Sequence, residues 1–264
     1  MKEFLYGIDS RMVAAALGLI MLCALEVGHR LGRPRAAVSS DALRSHIGVV
    51  QGSLLGLLAL VLGFTFAVAL QHFDARNEAV VAEANALGTA WLRGALLPEP
   101  ARGELRGLLL QYVDARIAES HLTLAADAAR HAALARTDEL IEALWTATGR
   151  ALAADDRVTT TGLFVQTLND AIDAYGARNA ALDRHVPEVV LWILFVTFAV
   201  SAGVLGYGAG LAAHRPPLAS VLLVLLMVVV SYLIVDLDRP RRGLVQVSQQ
   251  PMLSLRASMA PSAP

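Results

Sequence analysis

Charge is scarce in this chain. Only 17% of its 264 residues are Asp, Glu, Lys or Arg, and the formal net charge is −1, so no global field is present to attract nucleic acid. Cysteine is scarcer still. Cys23 is the only one, which excludes an intrachain disulfide and leaves the redox compartment open. The first apolar run ends in LEVGHRLGRPR without a small-residue cleavage site, so a cleaved signal peptide is not expected. The histidines are His29, His46, His72, His121, His131, His185 and His214. None stands in HExxH or another metal-ligand spacing, and no serine sits in a nucleophile elbow. Nothing in these residues builds an active site. Neither an enzyme nor a metal or cofactor site is expected. No period-2 alternation proposes a strand anywhere.

Apolar side chains are abundant instead. They make up 56% of the chain, and mean hydropathy is +0.54, values that point to an integral membrane protein. A helix needs about 20 apolar residues to cross the hydrocarbon core. Four segments come close: Met12 to Val27, Gly48 to Leu70, Val189 to Ala213 and Leu218 to Val235. Glu26 near the end of the first is tolerable at an interface. The second is rich in small residues, with Gly48, Gly52, Ser53, Gly56 and Gly63. The third carries Ser201, Gly203, Gly206, Gly208 and Gly210. Its GYGAG has the glycine density of a phosphate loop, but no strand precedes it, and close helix packing is the better reading. Cys23 reads as a small buried hydrophobe.

Four spans place both termini on one side of the membrane, together with the long segment Gln71 to His185. The loops Gly28 to Ile47 and His214 to Pro217 lie on the other. Lys2, Arg11, Arg239, Arg241 and Arg242 stand against Arg30, Arg33, Arg35, Arg44 and Arg215. Arg76, Arg178 and Arg184 tip that tally toward termini and insert inside.

The long segment reads as helix throughout. The second span has no stop signal at Leu70, and helical character continues to Pro98 and Pro100. A helix from about Ala101 to Glu119 carries Leu105, Leu108, Leu109, Tyr112, Val113 and Ile117 at helical spacing. Another spans roughly Leu122 to Ala154, with Leu140, Ile141, Leu144 and Trp145 as its amphipathic stretch. A further helix starts in the cluster Thr159 to Thr161, read as a cap, and runs through Leu163, Leu168, Ile172 and Tyr175 into the third span, with Pro187 at the junction. The fold class is therefore all-α: four transmembrane helices, with a helical extramembrane insert between the second and third. The expected divisions are 1–70, 71–185, 186–237 and a polar tail, 238–264.

Two polar groupings stand out. Glu78 and Glu83 are five apart and do not share a helix face, whereas Glu78, Asn85 and Thr89 do. That stripe lines an aqueous path or faces solvent. At the end of the fourth span comes DLDRPRRGLVQVSQQPM. Asp236 and Asp238 oppose the negative end of the helix macrodipole, and Arg239, Arg241 and Arg242 offset them. The arginines alone read as a stop-transfer cluster that reaches lipid phosphates. The aspartates and the run VSQQPM suggest more: a tail, with no hydrophobic face of its own, that docks on the insert of its own or a neighbouring subunit through a turn fixed by Asp–Arg pairs.

The stretch LLGLLALVLGFTFAVALQHFDARNEAVVAEANALGTAWL, together with LLPEPARGELRGLLLQYVDARI and DLDRPRRGLVQVSQQPM, resembles the bacterial bestrophin-like membrane family over nearly the whole chain. LGFTFAVALQHF is more distantly similar to the pore-helix segment of true bestrophins, where Gly-Phe opens the constriction and a basic-aromatic pair closes it. Here that pair is His72 and Phe73, and the pore face is thinned to Gly56, Leu60 and Phe64, with His72 and Arg76 at the mouth. The tail lacks the acids that form a calcium clasp in the animal channels. The resemblance implies a homo-oligomer on the pattern of a pentamer, passing small anions, in the bacterial inner membrane with termini and insert cytoplasmic. The competing expectation is a non-conducting scaffold or sensor whose insert binds a protein partner. A secondary transporter ranks third, since no inverted repeat with broken helices is visible.

Overall fold

Long apolar runs and a few breakers set the element boundaries in the structure, a computed structural model that describes residues 8–122, 127–214, 218–239 and 245–260. The helices are α1 (Ser10–Gly32), α2 (Asp41–Gly94), α3 (Ala101–Ser120), α4 (Asp127–Ala154), α5 (Leu163–Leu182), α6 (Glu188–Leu211), α7 (Leu218–Leu237) and α8 (Gln250–Ser258). Among the described residues no strand occurs. Four of these helices, α1, α2, α6 and α7, are long and apolar enough to cross a membrane.

The chain forms two compact units. One holds the chain up to His72, the segment His185–Arg239 and Val245; the other holds Phe73–Arg184 and the chain from Gln246 onward. The continuous helix α2 contributes its first part to one and its remainder to the other.

In the first unit α1 and α6 run side by side in the same direction. A Cβ added at Gly206 would sit 1.9 Å from the Leu25 carbonyl oxygen, and one at Gly28 would sit 2.0 Å from that of Gly203. The glycines of the third span thus do pack helices together, as GYGAG suggests. Around that seam Leu17, Met21, Leu25, Leu58, Leu194, Phe198, Val224 and Met227 form one apolar core. In the second unit Val80 and Leu87 of α2 pack with Leu105, Leu109, Val113, Leu140, Leu144, Phe164, Leu168 and Met252. Each such buried side chain of the second unit contributes about 1.5–3 kcal/mol relative to exposure to water, whereas between spans close packing rather than exclusion of water holds the helices together.

Several boundaries differ from expectation. The first apolar helix runs on to Gly32 and is followed by a 3-10 turn, Arg33–Arg35. α2 starts at Asp41, so much of the expected loop is helical. The threonine cluster is not a simple cap. Val158–Gly162 forms a π turn, and the Thr160 and Thr161 hydroxyls donate back to Asp155 Oδ2 at 3.1 and 3.3 Å. α5 ends at Leu182, and α6 begins only after Pro187. The helix expected from Leu122 is described from Asp127; residues 123–126 lie outside the described set. Cys23 is exposed rather than buried. The tail does have an apolar face: α8 starts with Pro251 in its first turn and buries Met252.

Candidate functional site

Helix geometry divides the membrane part of α2 into two faces. Leu58, Thr65 and Ala69 point into the first unit and are buried; the Thr65 hydroxyl donates to the Val61 carbonyl at 2.8 Å, which removes its polar group from the apolar core. On the opposite side Gly56, Leu60 and Phe64 line up. Leu60 is 56% exposed and Phe64 65%. A Cβ built at Gly48, Gly52, Gly56 or Gly63 meets no atom within 4 Å. The three sequence-predicted lining residues therefore share one open face.

His72 and Arg76 do not share it. Arg76 is 1% exposed. Its Nε and Nη2 donate to the carbonyls of Ala181 and Arg184 at 3.2 and 2.6 Å, within the second unit. His72 lies in the first unit at a junction built around Asp238. His72 Nδ1 donates to Asp238 Oδ1 at 3.0 Å. The Val186 backbone N–H donates to Asp238 Oδ2 at 2.8 Å, and His185 Nδ1 donates to the Asp238 carbonyl at 3.2 Å. One buried carboxylate thus ties the end of the α2 span to the entry of α6 and the end of α7. Asp236 also accepts, from the Val245 N–H at 3.1 Å. Arg239 is 3% exposed, so it is not presented to lipid. Arg241 and Arg242 lie outside the described residues.

Glu78, Asn85 and Thr89 are all exposed. Asn85 and Thr89 border a groove that Pro251 and Ser254 of α8 also line. α8 is held to the insert by Arg256, whose Nε donates to Asp114 of α3 at 2.5 Å. The tail of this chain therefore lies on its own insert.

A group that sequence reasoning passed over is buried in the second unit. Glu83, in the extension of α2 past its apolar stretch, is 0% exposed. Its Oε1 accepts from the Tyr112 hydroxyl at 2.9 Å and Arg116 Nε at 2.8 Å. Its Oε2 accepts from Arg178 Nη1 at 2.6 Å. Arg116 also pairs with Glu119 and lies 4.8 Å over the Tyr175 ring. Burial pushes the Glu83 carboxyl up, but Arg116 and Arg178 outweigh it and hold the group below its ordinary range. Burial and then Glu83 push Tyr112 well up. Burial lowers Arg178, and Glu83 does not fully compensate. The helical spacing of Glu83 with Val80 and Leu87, both core residues, was the available signal: a carboxylate on an apolar face needs a buried partner. Among the described residues no group of His, Cys, Asp and Glu is arranged to hold a metal ion.

No curated protein matches the chain. Solved structures do. Two crystal structures of point mutants of a bacterial bestrophin homologue from Klebsiella pneumoniae align with TM-scores of 0.66 and 0.67, at 15% and 16% identity. The alignments cover 93% and 95% of this chain and 94% and 97% of the other. At that identity the likeness shows a shared all-helical membrane fold. The bestrophin-like domain family matches residues 10–252, and the chain belongs to that family.

Proposed function

We propose that the chain is one subunit of a homo-oligomeric channel for small anions, with Gly56, Leu60 and Phe64 lining its narrow part. The open face of α2 carries this reading. The exposed faces of the other spans hold large apolar residues that suit lipid, such as Leu19 and Ile20 on α1, Ile193 and Val196 on α6, and Leu222 and Leu225 on α7. The open face of α2 is instead interrupted by glycines with nothing of this chain near them. A lipid-facing helix gains nothing from glycine. Close approach of a second helix does, and so does a narrow path between symmetry-related copies. A ring of α2 helices supplies both.

Such a ring carries no formal charge. It passes anions when wide enough to stay wet and closes by dewetting when it is not. The positive edge of the Phe64 ring favours anions over cations. His72 and Arg76 act from behind this lining, fixing the end of the helix that bears it. A pentamer in the bacterial inner membrane, with termini and insert in the cytoplasm, is the assembly and orientation that the family resemblance and the arginine tally favour. Purified protein in a planar bilayer tests the reading: discrete currents with a reversal potential that follows the anion gradient support it. Silence from an intact oligomer supports the scaffold instead.

A further inference from the structure

The open face of α2 does not end at Gly56. Toward the start of the helix it continues through Val49 and Gly52, with Ser45, His46 and Ser53 beside them, and all of these are exposed. His46, Ser53 and Leu60 follow at intervals of seven, two helical turns, which returns to nearly the same side. The other side of α2 at this level faces its own subunit. A Cβ built at Gly208 of α6 would lie 3.2 Å from Gln51 Oε1 and 3.8 Å from Ile47 Cγ2. The Ser53 hydroxyl donates to the Val49 carbonyl at 3.0 Å. This end of the open face is therefore small and polar, unlike the exposed faces of the other spans.

One side chain on this face can change its charge. From Ser45 to Gln71 the sequence of α2 holds a single titratable group, His46. Asp41, in the first turn of α2, lies one turn before Ser45 and brings a negative charge to the same rim. Arg44 is drawn off the face, donating to Ser39 Oγ at 3.0 Å and the Ala36 carbonyl at 3.2 Å. Among the described residues the other ionisable groups at this end belong to other elements. Arg30 pairs with Glu26, and Arg35 donates to the Leu31 carbonyl. Arg33 stands in the 3-10 turn. His29 and Tyr207 belong to the seam between α1 and α6, and His214 contacts the Ala212 carbonyl.

We propose that His46 is a specificity-determining residue at the entrance to the α2 face, and that its charge sets how readily small anions enter; this rests on the reading of α2 as the pore helix. With the imidazole neutral, the rim carries the Asp41 carboxylate, which repels anions. With it protonated, each copy in the ring offsets that charge. Histidine is the side chain suited to such a change between about pH 5 and 8. His46 precedes Leu60 by fourteen residues, about 21 Å along the helix. That is about twice the screening length at 0.1 M salt. His46 therefore acts on the supply of anions at the mouth and not on the narrow part itself.

The test uses the full-length oligomer in a planar bilayer, with chloride as the anion, at about pH 5.5 and pH 8. Expected is a chloride current about threefold or more larger at the lower pH in dilute salt, a difference that shrinks in concentrated salt. His46→Gln should abolish the pH difference, and His46→Lys should hold the larger current at both pH values. A Cys23→Ala, His46→Cys protein is then treated, already assembled, with thiol reagents of similar size and opposite charge. The cationic reagent should raise chloride current and the anionic one lower it, whereas bulk alone acts alike in both. A wild-type chloride current indifferent to pH, a pH difference that His46→Gln leaves intact, or reagents that act alike overturns the proposal and leaves the channel reading standing. A wild-type oligomer that carries no current overturns both.

Discussion

His72 and Asp238 stand 166 positions apart in the chain, and His72 Nδ1 lies 3.0 Å from Asp238 Oδ1. The other carboxylate oxygen of Asp238 accepts from the Val186 N–H at 2.8 Å. Asp238 lies at the end of α7, where a negative charge opposes the helix dipole. Its partners, not the dipole, hold it there. Asp238→Asn preserves shape and removes the charge-assisted acceptor. Thermal unfolding of the variant should show a loss of about 1–3 kcal/mol, the cost of buried donors left poorly matched. An unchanged Tm would mean that the junction is not held by this carboxylate.

Glu83→Gln should cost far more than a surface change. It leaves Arg116 and Arg178 buried with reduced compensation, a loss of about 3–5 kcal/mol. Glu104→Gln breaks only the exposed pair with Arg150 and should stay within about 1 kcal/mol. Parallel denaturation of the two variants separates them. Similar losses would contradict the buried cluster as a structural keystone.

The same cluster sets limits on pH. The Glu83 carboxyl is held below its ordinary value of 4.5. The unfolded state therefore takes up a proton first, and the stability Glu83 supplies is full above pH 4.5 and lost as pH falls below it. Tyr112 is shifted upward from 10.0. Above pH 10.0 the unfolded phenol ionises before the folded one, and stability falls as pH rises. Melting curves should show both limbs, with Tyr112→Phe flattening the alkaline one and Glu83→Gln the acid one. Limbs unchanged by these variants would place the titrating groups elsewhere.

Glycines on the two sides of the membrane unit should respond in opposite ways. Gly206→Ala puts a methyl 1.9 Å from the Leu25 carbonyl oxygen and should force α1 and α6 apart, at a cost of about 1–3 kcal/mol or more. Gly56→Ala meets nothing of its own chain. It should leave the subunit folded and alter only flux or assembly. Thermal stability in detergent and size-exclusion profiles check both.

Orientation is open to a simple labelling experiment. With the exposed Cys23 replaced by alanine, a cysteine at Arg130 in α4 should resist an impermeant thiol reagent in intact cells. Ready labelling would place the insert outside the cytoplasm.

The spans were legible because hydropathy over about 20 residues needs no knowledge of partners. The helices of the insert were legible from apolar spacing, as at Leu105, Leu109, Tyr112 and Val113. What spacing could not supply was the partner of a charge. Glu83 does not share a face with Glu78, yet Val80 and Leu87 place it on the apolar face. Arg178 reaches it from 95 positions away. Met252, Leu255 and Met259 did carry a helical stripe, but one too short to stand out beside polar neighbours. The sequence leads one to expect Asp236 and Asp238 to fix a turn through pairs with the following arginines. The structure gives them acceptor roles toward Val245 and toward His72 and Val186, contacts that depend on how the chain returns.

Conductance of Phe64→Ala in a planar bilayer tests the channel most directly, with Leu60→Ala beside it. Both side chains stand on the open face of α2, exposed within the subunit, so truncation leaves no cavity in the subunit core. If that face lines the path, both variants should assemble as wild type does and pass larger anion currents or leak constitutively. If the face is a packing surface, the oligomer should weaken, since deleting a packed Phe costs about 3–5 kcal/mol. Loss of stable oligomer with no gain in anion flux would contradict the assignment of α2 as the pore helix.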